Sequence, residues 1–230
     1  MNSTTALLFL GGAASAALLL AILRFLWIYR EIQARRNGYD DKETRTAFRS
    51  KKCKTLVVLG SGGHTSEMLH MVSQLDSALY DPIVYVVADT DHTSIQRLQA
   101  NPELHKNDTI VHKIPRSREV GQSFTSSFIT TIYALIHAIV LTIQIRPELV
   151  LCNGPGTCVP VILGAWLIRM PGFPCQFLFC ESFCRVETLS LAGKLLYPIV
   201  DCFIVHWQEL HQKYPKSPLS STFVVNHNQQ

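Results

Sequence analysis

Twenty-four residues in a row, Thr5 to Ile28, read T-A-L-L-F-L-G-G-A-A-S-A-A-L-L-L-A-I-L-R-F-L-W-I. A helix of that length is about 36 Å long and crosses a hydrocarbon core of about 30 Å with tilt to spare. Its one charge, Arg24, lies near the end, where the long stem reaches the headgroups. Trp27 and Tyr29 stand where interfacial aromatic anchors belong. A cleaved signal peptide would carry positive charge ahead of the apolar run, and Met1–Thr4 carry none. The charge follows instead. Residues 24–54 hold ten Lys/Arg against four acids, so they are +6 while the remainder of this +4 chain is −2. These residues predict an uncleaved anchor over 1–30 and a basic juxtamembrane linker over 31–52. By the positive-inside rule the N-terminus is lumenal and the body cytoplasmic. A body without basic excess also argues against nucleic acid as a partner.

The 230 residues leave room for one domain behind that anchor. Seven cysteines without a C-x-x-C pair are neither a disulfide framework nor a four-cysteine zinc site, and they suit a reducing compartment. They read as small apolar fillers. Short β-branched runs then alternate with helical spacing. Lys54–Leu59, Pro82–Val87, Thr109–Ile114, Leu149–Cys152, Gln176–Phe179 and Cys202–Val205 read as strands. Ser66–Leu75, Thr93–Gln99 and Val159–Met170 read as helices between them. The fold class expected is α/β, a Rossmann-like parallel sheet with right-handed crossovers, preceded by one transmembrane helix. Phe124–Ile145 is long and uncharged. It is open to two readings: a helix packed on the sheet or lying at a membrane interface, or a second span. Its threonines, Tyr133, His137 and Gln144 favour the first. His137 is expected to be a satisfied core residue.

The sharpest local pattern is G-S-G-G-H-T-S-E, residues 60–67, which directly follows a strand and opens a helix. Glycines let backbone approach a ligand, and helix-start N–H groups favour an anion, most often phosphate. No lysine follows, so this is not a P-loop, and Thr65 replaces the third glycine of a dinucleotide fingerprint. A second turn, N-G-P-G-T at 153–157, also follows a strand, and two such turns on one sheet edge could grip a diphosphate. Glu181 follows a further strand at the same edge. It could accept a proton, bind a sugar hydroxyl or orient His64. Equally, it could cap a helix or pair with Arg185. Arg116 and Arg118 are candidate phosphate contacts with a solvated loop as the alternative.

Taken in order, the anchor, G-S-G-G-H-T-S-E, A-D-T-D, I-P-R-S-R-E-V, L-C-N-G-P-G-T-C-V-P, E-S-F-C-R-V-E-T-L-S and K-Y-P-K-S resemble one family over roughly residues 5–217. It is the family of membrane-anchoring subunits of the eukaryotic UDP-N-acetylglucosamine transferase of asparagine-linked glycosylation, similar to the N-terminal half of bacterial MurG. The resemblance implies the cytoplasmic face of the endoplasmic reticulum membrane and a heterodimer with a soluble UDP-sugar-binding subunit. It implies transfer of the second N-acetylglucosamine to dolichyl-diphosphate-N-acetylglucosamine. From the residues themselves, no cofactor and no metal ligand set is expected in this chain. Matched to the family's glycine-rich loops, residues 53–217 would form the acceptor domain. Gly60, Ser61, Gly62, Gly63, Thr65, Asn153, Gly154, Gly156 and Thr157 would hold the acceptor diphosphate. His64 or Glu181 is the candidate catalytic base. Family chains end soon after K-Y-P-K-S with a short apolar tail that helps dock the partner. Here Pro218–Gln230 is polar, which leaves partner docking open. The competing reading is a membrane scaffold that contributes no site residues.

Overall fold

The computed structural model describes residues 3–37, 52–104, 109–117, 122 and 124–220. Arg118, most of the expected linker and residues 221–230 lie outside the described residues. The chain runs α1 (Ser3–Asn37), β1 (Thr55–Val58), α2 (Gly63–Ser73), β2 (Ile83–Ala88), α3 (His92–Gln99) and β3 (Ile110–Ile114). It continues through α4 (Phe124–Ile145), β4 (Leu149–Asn153), α5 (Cys158–Arg169), β5 (Gln176–Cys180), α6 (Leu191–Leu196), β6 (Cys202–Ile204) and α7 (Gln208–Lys213). The expected strands and helices are all present, with ends moved by at most three residues.

The strands form one six-stranded sheet in the order β3-β2-β1-β4-β5-β6. Every pairing is parallel. Both faces are covered, which is why the strands read as continuous apolar runs. Leu56, Val58, Val84, Val86, Val150, Phe177, Phe179 and Phe203 face α4, α5 and the end of α1. Val57, Leu59, Tyr85, Val87, Leu149 and Leu151 face Met68, Leu69 and Val72 of α2 and Leu98 of α3. Strand order reverses between β1 and β4, and ligands of such sheets bind at the carboxyl ends of the strands flanking that switch. The two glycine turns follow these two strands.

The anchor and the body are joined differently from the expected linker. α1 does not stop at residue 30 but continues helically to Asn37, and Ile28 and Ile32 are fully buried in the core. Arg24 Nε donates to Met170 O at 2.9 Å, Arg36 Nη1 to Tyr197 O at 2.5 Å and Gln33 Nε2 to Pro198 O at 3.4 Å. Phe25 packs on Trp166 with ring centroids 5.3 Å apart. The cause is periodicity: Phe25, Ile28 and Ile32 share one helix face. Asp201 adds to this junction. It holds Arg169 through two hydrogen bonds of 2.7 and 3.0 Å, accepts from Phe177 N at 2.9 Å and lies 3.7 Å from Arg35. Past the expected domain end at 217, Leu219 bridges Val205, and Ser220 N donates to Val205 O at 2.9 Å.

Two described helices, Gly11–Asn37 and Thr125–Ile145, are long and apolar enough to cross a membrane. The first fits membrane anchoring, because its residues 11–27 stand almost wholly clear of the body. The second is a packed helix. Ala134, Ala138, Leu141 and Ile145 of α4 are buried in the core, and Gly164 of α5 lies against the backbone of Ala138. His137 departs from its expected core position. It lies on the outer face, 3.0 Å from Tyr133 O, with its ring against Tyr133.

Candidate functional site

The crevice is built from the two glycine turns outward. β1 ends at Val58, and the chain turns through Gly60–Gly62 into α2. Gly62 has φ 69°, a conformation that L side chains rarely adopt, so the turn needs glycine there. The turn is braced from behind. Thr65 Oγ1 donates to Gly60 O, as does Ser94 Oγ at 3.1 Å, and Arg97 Nη1 holds Gly62 O at 2.5 Å. Asp91 caps α3 through Ser94 N at 3.1 Å and also binds Ser94 Oγ at 2.6 Å. Burial pushes the Asp91 carboxyl pKa up, but hydrogen bonds from Ser94 and Thr93 and the nearby Arg116 charge outweigh it, so the value is lowered. With these carbonyls held by the body, side chains added at Gly62 or Gly63 would meet nothing within 4 Å.

The second turn packs directly on the first. A side chain at Gly60 would lie 2.5 Å from Pro155 Cγ. Gly154, at φ 59°, lies under the His64 imidazole, and a Cβ there would collide with the ring. α2 and α5 both begin at this edge, so two helix N-termini converge on it.

The acid facing His64 is Glu67, which the sequence reading did not single out. Glu67 Oε2 lies 3.6 Å from His64 Nδ1, a buried nitrogen without a hydrogen-bond partner. Asn153 Nδ2 donates to His64 O at 2.8 Å and to Glu67 Oε2 at 3.3 Å, and Ser182 Oγ donates to Glu67 Oε1 at 3.3 Å. Asn153 is buried, and its Oδ1 has no partner. His64 and Glu67 are three apart on one helix, so they share a face. That spacing was the available signal. Ser94, Arg97 and Ser117 carried none, because only the fold brings them to the turns.

Glu181 is at the same edge but turned inward and fully buried. It accepts from Ser182 N at 3.0 Å, Ser190 N at 2.9 Å and Ser190 Oγ at 3.1 Å. Ser190 Oγ in turn caps α6 at Gly193 N, 2.9 Å away. Among the other residues expected to hold diphosphate, Ser61 and Gly156 are at the open rim, whereas Thr65 and Thr157 are buried. Ser117 Oγ, on the loop carrying Arg116, donates to Gly156 O at 3.3 Å. His206 completes the edge, 3.4 Å from Cys180 Sγ and 2.9 Å from Ser220 Oγ. Burial lowers its pKa, against the pull of the Glu67 and Glu181 carboxylates.

This architecture matches known proteins. The family described as Oligosaccharide biosynthesis protein Alg14 like matches residues 55–223, which include both turns. The chain belongs to that family. It is 47% identical over 174 residues to a mouse protein named UDP-N-acetylglucosamine transferase subunit ALG14, covering 71% of this chain and 80% of the relative. A Yarrowia lipolytica relative of the same name is 37% identical over 211 residues, covering 89% and 94%. Among solved structures, MurG of Acinetobacter baumannii aligns with a TM-score of 0.51 at 16% identity, over 67% of this chain and 41% of MurG. That likeness concerns the fold.

Proposed function

We propose that the chain is the membrane-anchored, acceptor-side subunit of a two-chain glycosyltransferase. A soluble subunit brings UDP-N-acetylglucosamine. The pair adds the second N-acetylglucosamine to dolichyl-diphosphate-N-acetylglucosamine at the cytoplasmic face of the endoplasmic reticulum. The observation that carries this reading is the crevice at the β1–β4 switch, where the open backbone of Gly62, Gly63 and Gly156 and two helix N-termini meet beside His64. That arrangement suits an acceptor diphosphate. The names of the relatives support the transfer chemistry, and a single sheet spanning 41% of MurG is consistent with half of a two-domain enzyme. Arg30, Arg35 and Arg36 after the apolar run support the orientation.

In this reading the N–H groups of Gly62 and Gly63 bind the diphosphate, and His64 is the general base. The acceptor 4-hydroxyl oxygen bonds to the anomeric carbon of the donor sugar as the bond from that carbon to the UDP oxygen breaks. The hydroxyl proton goes to His64, and UDP leaves with the bonding pair. Glu67 holds the imidazolium that results, closing the 3.6 Å gap as the pair charges. Glu181 serves as a brace for the loop beneath. The test is transfer of labelled N-acetylglucosamine to the lipid acceptor by the co-purified pair. His64→Ala should abolish most transfer while the two chains stay together. Full transfer by that complex would leave the chain as a scaffold.

A further inference from the structure

The outer face of α4 has no use in the site described. Its 22 residues contain no Asp, Glu, Lys or Arg. Phe128, Ile129, Ile132, Ile136, Val140 and Ile143 are each between 43% and 70% exposed. They form a stripe about 22 Å long at the helical rise per residue. A contiguous apolar surface of this kind marks an interaction site rather than scattered surface residues.

We infer that this stripe lies against a lipid surface, as a second membrane contact that does not span. Three observations choose lipid over other occupants. The first is continuity. α5 lies between α1 and α4, packed to α1 through Trp166 and Phe25 and to α4 through Gly164. Its own Leu163 and Leu167 are exposed, so the apolar surface of α1 passes over α5 onto α4. The second is how the anchor is attached. Arg24 hydrogen-bonds the body before the apolar run ends, and Ile28 is already in the core. The body is therefore clamped at the membrane surface rather than tethered at a distance from it. The third is the chemistry of the stripe. It is free of charge, and two of its exposed polar residues, Tyr133 and His137, form a ring pair with centroids 4.4 Å apart. Amphipathic rings of this kind suit the headgroup boundary. The stripe also reaches the crevice. Thr130 Oγ1 donates to Ser117 O at 2.7 Å, and Ser117 Oγ to Gly156 O at 3.3 Å. α4 cannot leave the body to span the bilayer without uncovering the core against which Ala138, Leu141 and Ile145 are packed.

The inference shares with the proposed function only the reading of α1 as an anchor, and its test uses no transfer assay. The full chain, with Cys184→Ser to remove the exposed thiol, is reconstituted in phosphatidylcholine nanodiscs. Nitroxide labels are placed at Ile132→Cys, Ile136→Cys and Val140→Cys. A label at Leu19→Cys reports the anchor, and one at Gln96→Cys on α3 reports the opposite face of the sheet. Collision with oxygen should exceed collision with a water-soluble nickel chelate severalfold at Leu19 and along the stripe, and the order should reverse at Gln96. Nickel access along the stripe with Leu19 still in lipid overturns this inference alone. Nickel access at both overturns the anchor reading with it. Spin–spin broadening at the stripe that disappears on dilution with unlabelled chain overturns it in favour of a second copy.

Discussion

Glu67 and Glu181 occupy one edge of one sheet, yet the structure uses them in opposite ways. Glu67 is partly open and faces a histidine across 3.6 Å, with Asn153 and Ser182 holding it in place. Glu181 is closed off from solvent, and its carboxylate satisfies two backbone amides and a hydroxyl of its own loop. A carboxylate surrounded by fixed donors stabilises the fold. One left with spare acceptor capacity beside a histidine is, in the proposed reading, the one available to the reaction. The number of donors around each acid separates them, not its position along the chain.

The contrast breaks first at His64. His64→Ala should lower transfer by about 10²–10⁴-fold, the usual contribution of a general base, and leave the melting temperature unchanged. Glu181→Ala should do the reverse. It strands three donors at about 1–3 kcal/mol each, so a loss of at least about 3 kcal/mol is expected. At about 2–4 °C per kcal/mol for a chain of this size, thermal unfolding in nanodiscs should begin at least roughly 6–12 °C lower. A Glu181→Ala chain that melts normally but transfers nothing would exchange the two roles. Glu67→Gln keeps the shape and removes the charge. Transfer should fall on the order of 10–100-fold with little change in melting, as expected for loss of a charged hydrogen bond. Asp91→Ala removes the α3 cap and the support behind Gly60, and should cost about 0.5–2 kcal/mol in chemical denaturation.

The smallest effect concerns His206, between the two acids. Burial lowers its pKa, so the folded chain binds fewer protons there than the unfolded one. Its contribution is complete above the unfolded histidine value of about 6.5 and is lost as pH falls through the lower folded value. The drop in melting temperature between pH 7.5 and 5.5 should therefore be smaller in His206→Gln than in the parent. An unchanged drop would assign the acid sensitivity to other groups.

Much of this was legible in the residues. β-branched runs such as Thr55–Val58 and Ile83–Ala88 announce buried strands because both faces of a parallel sheet are covered. G-S-G-G-H announces its turn because Gly62 needs a positive φ. The end of α1 was not legible as part of the body, because basic residues after an apolar run look like a linker until a core is present to bury Ile32. The outward position of His137 was hidden for a related reason: an uncharged helix does not announce which of its faces meets the sheet.

The sequence by itself determined the α/β alternation, the apolar N-terminal helix and the two glycine turns, since each rests on backbone preference and local period. Only the tertiary structure decided that β1 pairs with β4, which sets Gly154 beneath His64 and Pro155 against Gly60. It also decided that Glu67 faces the crevice while Glu181 faces Ser190. Those outcomes depend on contacts between residues nearly a hundred positions apart, and on which donors reach each carboxylate. Local propensity carries no information about either.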